Sequence, residues 1–238
     1  MTHDPDPRAR SRSGTRAVPP TDTPDDTTSH PDPGDTTMTT DLLDDIRRAL
    51  RSTATVVDGI GADQLDAPTP CEGWTVRDVA NHLVGGMHVF AALLAGDEAD
   101  EDPTRDRIGT DLAGAFAEAA AADGAAWSAP GALDREVALS FATLPATMAG
   151  VIHLTELVVH GLDLAVATGR TDLVDDQLAD DLLDRMRSMG GIDAFRAPGF
   201  FGPELPAVPG DPAYRRLLAY VGRDADVPST PTPAGTFV

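Results

Sequence analysis

Residues 151–169 constrain the fold of this chain most, because they set ionisable side chains into an otherwise apolar segment. At about 100° per residue, His153, Glu156 and His160 stand at helical positions i, i+3 and i+7, so they project from one face. Apolar side chains cover nearly every other direction, which predicts a helix that is buried almost all round. Two imidazoles and a carboxylate facing a core need partners, and a bound metal ion is the simplest group that satisfies all three.

A Glu-x-x-x-His pair on a helix is by itself a weak signal, because a hydrogen-bonded Glu–His pair in a core has the same spacing. A third candidate ligand favours the metal interpretation. His82 lies in another apolar segment, one turn before Gly85 and Gly86, which would let a second helix or a ligand approach closely. His82, Glu156 and His160 would form a His₂Glu set, which is typical of a zinc site with at least one open position.

Most of the remaining chain has helical periodicity. A capping box of Thr75 and Asp78 is predicted to start the helix that carries His82, and we expect Gly124 to end the next helix. Residues 136–141 alternate like a short extended segment. The predicted helices cover residues 41–57, 76–94, 111–123, 145–169, 173–189 and 212–221. This pattern predicts an all-α bundle, and a single carboxylate on the metal-binding face disfavours a di-iron centre.

Composition narrows the range of partners. The 238 residues carry a formal net charge of -21, so the protein should repel nucleic-acid phosphates and anionic membranes. We also expect no apolar run of the length of a membrane span. Cys71 is the only cysteine, which excludes an intrachain disulfide and gives no sign of an oxidising compartment. We therefore expect a cytoplasmic monomer or homodimer that binds neither nucleic acid nor membranes.

Three regions differ in composition. Residues 1–37 mix Pro, Asp, Thr, Ser and Arg with hardly any large apolar side chain, so we expect a disordered extension there. Met38 directly precedes the first helical pattern and is a possible start of translation. We expect residues 38–225 to form the metal-binding bundle and residues 226–238, rich in Pro and Thr, to form a flexible tail.

Two motifs carry a resemblance to a known family: PTPCEGWTVRDVANHLVGG at 68–86 and HLTELVVHGLDLA at 153–165. Together they resemble the metal-binding family of mycothiol-dependent maleylpyruvate isomerase, and the resemblance extends from about Asp41 to Arg223. It implies a DinB-like four-helix bundle with additional short helices, of actinobacterial type. It also implies a divalent metal ion, commonly zinc, that is held by His82, Glu156 and His160 and coordinates the small thiol mycothiol.

The resemblance implies a thiol-dependent transferase or isomerase that acts on a small electrophile, because a metal-bound thiol is deprotonated at neutral pH. The isomerase itself carries an additional C-terminal domain, and we expect the short segment after Met189 not to supply it, which favours thiol transfer. Two alternatives stay open. One is a metal-binding or interaction module without turnover, and the other is an acidic bundle without metal.

Neighbouring residues receive narrower predictions. His153 is either a fourth ligand, which would close the site, or a residue that supports a ligand. We expect Asp163 to orient His160 or to cap a surface contact rather than to bind metal, and Trp74 to be a packing anchor for its loop. Cys71 is either a reactive thiol or a small buried side chain. His88 is about 240° round the helix from His82, so it should not share the site.

Overall fold

The computed structural model describes residues 33–197, 200–208 and 210–226, with side chains from residue 41 onward. The predicted disordered extension covers residues 1–37 and the predicted flexible tail covers residues 226–238; of these, residues 1–32 and 227–238 lie outside the described residues, and residues 33–37 are helical. Six α-helices and one β-hairpin are present in the described part of the chain. They are α1 (Pro33–Val57), α2 (Val76–Ala95), α3 (Leu112–Trp127), β1 (Glu136–Leu139), β2 (Ala142–Pro145), α4 (Ala146–Ala167), α5 (Asp176–Ser188) and α6 (Ala213–Tyr220).

Helices α1 to α4 form a four-helix bundle in which α1 packs on α3 and α4, and α2 packs on the same two helices. Helices α5 and α6 pack on each other and contact α4. Single-turn 3₁₀ helices lie in the connections. The prediction of an all-α bundle of DinB-like type, with four main helices and additional short ones, is therefore confirmed.

Helix α2 begins and ends as its sequence predicts. The Asp78 backbone N–H donates to the Thr75 hydroxyl, and the Thr75 N–H donates to the Asp78 carboxylate at 2.9 Å. This reciprocal pair is the predicted capping box. The helix ends at Gly96, whose φ of 84° is in the left-handed region that glycine adopts without strain.

Helix α4 is the most buried element of the bundle, as the apolar pattern around it predicts. It approaches α1 closely at Gly161, where an added Cβ would lie 2.5 Å from the Thr53 hydroxyl oxygen. A second close approach is at Gly150, which faces Leu42 and the Trp127 ring. Glycine at these two positions leaves room for side chains of α1 and α3 against the backbone of α4.

Three expectations differ from the structure. Helix α1 begins at Pro33, not at residue 41, because proline at the first helical position already has a helical φ. Helix α3 continues through Gly124 to Trp127, since burial of Trp127 outweighs the helix-breaking tendency of one glycine. Gly85 and Gly86 were expected to let a second helix or a ligand approach closely. Gly85 contacts the Arg107 side chain instead, and no described atom lies within 4 Å of the Cβ position of Gly86, so no helix packs against either glycine.

The expectation about membrane spans was wrong as stated. Helices α2 and α4 are long and apolar enough to cross a membrane by length and composition alone, because such a span tolerates one or two charged residues. Within the protein, 44% of the apolar α2 window and 78% of the α4 window are buried. Burial of this kind also occurs in the core helices of a bundle, so the two helices are weak evidence for a membrane.

The C-terminal segment returns to helix α4 after α6. The Gly202 N–H donates to the Val221 carbonyl, and the Arg223 N–H donates to the Leu218 carbonyl at 2.8 Å. Gly222 has a φ of 82°, and an added Cβ there would lie 2.5 Å from the Gly202 backbone. This tight crossing directs the side chain of Arg223 back to α4.

Candidate metal centre

The loop at residues 68–75, directly before α2, lies beside the predicted metal ligands. Its ends are joined by a bridge between Pro68 and Thr75. Inside it, the buried Thr69 hydroxyl donates to the Trp74 carbonyl at 2.9 Å, and the Cys71 N–H donates to the Thr69 hydroxyl at 3.2 Å. These bonds hold Cys71 and Trp74 beside helix α4.

The three predicted metal ligands come together. His82 projects from α2, and Glu156 and His160 project from α4. The Oε2 atom of Glu156 lies 2.8 Å from Nε2 of His82 and 3.2 Å from Nε2 of His160. One donor atom from each of the three residues lies within 4.8 Å of the others.

The site opens to solvent on one side. The side chains of His82 and Glu156 are 42% and 38% exposed, whereas that of His160 is 7% exposed. The solvent-facing side of the trio is therefore formed by His82 and Glu156, while His160 forms the inner wall.

The electrostatics of the trio follow from their shared hydrogen bonds. Burial opposes ionisation of Glu156, but the hydrogen bonds from His160 and His82 outweigh it and hold the pKa of Glu156 well below its ordinary value. Burial likewise opposes protonation of His160, but hydrogen bonds to Asp163 and Glu156 raise the pKa of His160 to about 9. Without metal, the centre therefore holds an imidazolium between two carboxylates.

A second group of polar side chains lies behind His160. Asp163 accepts from Nδ1 of His160 at 2.9 Å and from Nε of Arg223 at 3.1 Å. Arg223 also donates from Nη2 to the Cys71 sulfur at 3.5 Å. Burial, reinforced by the charge of Asp163, raises the pKa of the Cys71 thiol to about 11, and Arg223 offsets only part of this effect.

Trp74 packs on both histidines of the trio. Its ring is nearly parallel to that of His160, with an interplanar angle of 7° and centroids 5.6 Å apart. It meets the His82 ring edge-on, with centroids 5.0 Å apart. Trp74 is therefore an anchor for two candidate ligands as well as for its own loop.

Comparison with known proteins identifies the family. Residues 46–165, about half of the chain, match the family described as the mycothiol maleylpyruvate isomerase N-terminal domain. The chain belongs to this family. The matched residues run from α1 to the end of α4 and include all three members of the trio.

Relatives of this family member include two proteins of Mycobacterium tuberculosis, MT0763 and Rv0738, both named only as uncharacterized. Each is 33% identical over 178 residues, which cover 74% of this chain and 94% of the relative. The fold is similar to the crystal structure of the mycothiol-dependent maleylpyruvate isomerase, at 17% identity and a TM-score of 0.51. That alignment covers 79% of this chain and 90% of the isomerase, and an alanine variant of the isomerase matches equally well at 16% identity.

The donor set of this family member suits a divalent metal ion. Two imidazole nitrogens and a carboxylate oxygen converge from two helices, and they are ligands that zinc prefers. Asp163 accepts from the far ring nitrogen of His160, as predicted, and this arrangement fixes the tautomer of a metal-binding histidine.

His153 lies outside the trio. Its Nε2 is 2.8 Å from Oδ2 of the fully buried Asp123 on α3, and its ring contacts those of Phe90 and Trp127. Two helical turns separate it from His160, which carries it to another layer of the bundle. His88 also belongs to neither group of metal-binding type found among the described side chains.

Sequence reasoning did not find the contribution of Arg223. It follows Gly222 in the part of the chain covered by the resemblance, but no spacing rule connects it to Asp163, from which it is separated by 60 residues. The double contact of Trp74 was missed for the same reason, because ring stacking depends on the loop conformation.

Proposed function

We propose that this protein is a divalent-metal-dependent enzyme that uses mycothiol as a co-substrate to modify or isomerise a small electrophile. His82, Glu156 and His160 would hold the ion, and zinc is the metal that this donor set suits best. The observation that carries the proposal is the convergence of three ligand atoms within 4.8 Å at a position open to solvent.

Two residues outside the trio position its histidines. Asp163 orients His160 through Nδ1, so that Nε2 faces the position shared with His82 and Glu156. Trp74 fixes the planes of both imidazoles. When bound, a divalent ion at this position would lower the pKa of a coordinated thiol and so supply a thiolate nucleophile at neutral pH.

Openness favours an enzyme over a closed structural centre. A structural zinc site is filled by four protein ligands, whereas a catalytic site keeps a position for water or substrate. His153, one of whose two predicted roles was that of a fourth ligand, pairs with Asp123 instead. The half-exposed side chains of His82 and Glu156 are consistent with a site that a small molecule enters from solvent.

Both a transferase and an isomerase fit the site. A thiolate that adds to a conjugated double bond permits isomerisation, and one that displaces a leaving group gives a conjugate. Because the structural alignment covers 90% of the isomerase chain, the length of the segment after Met189 is no longer an argument against isomerisation. We propose a cytoplasmic location, where a small-molecule thiol stays reduced.

The first test is the metal content of protein purified without a histidine tag, measured by elemental mass spectrometry. We expect near-stoichiometric metal in the wild type and its loss in Glu156→Ala and in His160→Ala. His88→Ala is the matched control, because it removes a histidine of α2 outside the trio and should leave the metal content unchanged. A substoichiometric metal content that none of the three substitutions changes would overturn the proposal.

The second test separates an enzyme from a binding module. In the cobalt-substituted protein, added mycothiol should change the visible absorption spectrum of the metal, because the thiol enters an open coordination position. Mycothiol should then be consumed in the presence of a soft alkylating electrophile, and Glu156→Ala should abolish this consumption. An unchanged cobalt spectrum at saturating mycothiol would contradict thiol activation at the metal.

A further inference from the structure

The ring of His160 takes part in two groups of possible metal ligands. Its trio with His82 and Glu156 has Nε2 of the ring in contact with Glu156. A second group consists of His160, Cys71 and Asp163, whose donor atoms also lie within 4.8 Å of one another. Asp163 lies at the opposite ring nitrogen, Nδ1. Sulfur, imidazole nitrogen and carboxylate oxygen together are a set that zinc-like ions bind well.

The second group has spare capacity for a ligand. Asp163 is fully buried, and its Oδ1 atom has no hydrogen-bond partner among the described residues. A buried carboxylate oxygen without a partner is costly unless a cation or donor neutralises the group. The surroundings of Asp163 therefore favour a positive charge beside Cys71 and Asp163.

Arg223 supplies that charge. Its side chain is 9% exposed, and its guanidinium bonds Asp163 at 3.1 Å and Cys71 at 3.5 Å. A guanidinium is charged at every physiological pH and offers donors only, so it neutralises the carboxylate through Oδ2 and donates to the sulfur, although Oδ1 keeps no hydrogen-bond partner among the described residues. It lies between the sulfur and the carboxylate, where an ion bound by the second group would also have to lie.

We propose that Arg223 is a positioning residue that occupies the Cys71–Asp163 side of His160 and confines the metal to the Nε2 side. The inference rests on the proposed function for the metal at His82, Glu156 and His160. Arg223 keeps the centre mononuclear, because an ion on the Nδ1 side would share the His160 imidazole with the first ion. It also keeps Asp163 aligned with Nδ1, so that the ring stays in the orientation that ligation requires.

The test is a cadmium titration, with bound metal counted by equilibrium dialysis and cadmium–thiolate bonds detected by their ultraviolet charge-transfer band. The wild type should bind one equivalent without this band. Arg223→Met, which has similar length but no charge, should bind a second equivalent with the band. It should also bind the first ion roughly 10–100-fold more weakly, because Asp163 loses its alignment.

Two matched variants assign the effect. Arg223→Lys keeps the positive charge and should stay at one equivalent without the band. Arg223→Met/Cys71→Ser should lose the band, because the sulfur ligand is gone. One equivalent without a thiolate band and with unchanged affinity in Arg223→Met would overturn the inference.

Cys71→Ser in the presence of Arg223 keeps the test decisive if Arg223→Met does not fold. It should bind one equivalent with unchanged affinity, and a loss of metal in this variant would show that Cys71 is a native ligand and overturn the inference. Failure of the proposed function would look different. In that case Glu156→Ala would bind as much metal as the wild type, while the thiolate band in Arg223→Met would still decide the role of Arg223.

Discussion

Both ring nitrogens of His160 are engaged, Nε2 with Glu156 and Nδ1 with Asp163. Helical spacing explains both contacts, because the two acids lie four residues before and three residues after the histidine. Without metal, both nitrogens must carry protons in order to donate to carboxylates. The raised pKa of His160 is the consequence, and it connects metal-free stability to pH.

We predict that the metal-free protein loses stability as the pH rises. The pKa of His160 is 6.5 when unperturbed and about 9 in the folded protein. Its stabilising contribution is therefore complete below pH 6.5 and disappears as the pH passes through 9. Denaturant unfolding of the chelator-treated protein should show a decrease of up to about 3 kcal/mol over this window.

His160→Gln is the control for this pH dependence, because glutamine keeps hydrogen-bonding capacity and does not titrate. The variant should show a flatter pH profile between 6.5 and 9 than the wild type. A metal-free wild type whose stability rises over this window would contradict the assigned protonation state.

At the scale of the elements, the histidines of α4 meet acidic or imidazole side chains of neighbouring helices at two separate levels. One level is the candidate metal centre with α2, and the other is the His153–Asp123 pair with α3. The second pair is buried completely, so its value lies in the hydrogen bond between the two side chains rather than in exposure to a ligand. The two levels should respond independently to substitution.

We predict that His153→Ala destabilises the protein by about 3–5 kcal/mol, because it leaves the buried carboxylate of Asp123 without its partner. Urea unfolding measures the change. The metal affinity of the folded variant should stay within twofold of the wild type, since His153 is not a ligand. Loss of metal from a variant of normal stability would instead identify His153 as a ligand.

The crossing of the C-terminal segment gives a second prediction at this scale. Gly222→Ala should destabilise the protein by at least ~2 kcal/mol, because it combines an unfavourable positive φ with a clash against Gly202. Gly169→Ala is the matched control, since Gly169 has a φ of 69° and no described atom lies within 4 Å of its Cβ position. Thermal unfolding should show the larger loss for Gly222→Ala, and equal losses would contradict the tight crossing.

At the scale of the whole molecule, the proposed metal would couple its binding to folding. The proposed ligands come from two helices, since 74 residues separate His82 on α2 from Glu156 on α4. An ion that binds only the folded arrangement stabilises it by mass action. Zinc at 100 times its dissociation constant should therefore add about 2.7 kcal/mol to the free energy of unfolding.

A thermal melt with and without zinc measures this coupling. Glu156→Ala should show no zinc-dependent shift, while His88→Ala should shift as the wild type does. An equal shift in Glu156→Ala would mean that zinc acts elsewhere, for example on the acidic surface that the net charge of -21 implies.

The sequence by itself determined the elements and the order of polar groups within them. Apolar periodicity predicted the main helices, the Thr75–Asp78 pair predicted the start of α2, and spacing on α4 placed Glu156 on one face with His160. Such features are local, since each depends on residues within one or two turns. The alternation at 136–141 likewise indicated strand β1, although its pairing with β2 required the hairpin to form.

Only the tertiary structure decided which polar groups meet across the bundle. Two histidines on one helix have different partners: His160 contacts Glu156 beside His82, whereas His153 pairs with Asp123 on α3. Arg223 reaches Asp163 because Gly222 and Gly202 cross closely. Contacts over 30 or 60 residues depend on how helices pack and how loops close, and no local pattern encodes this geometry.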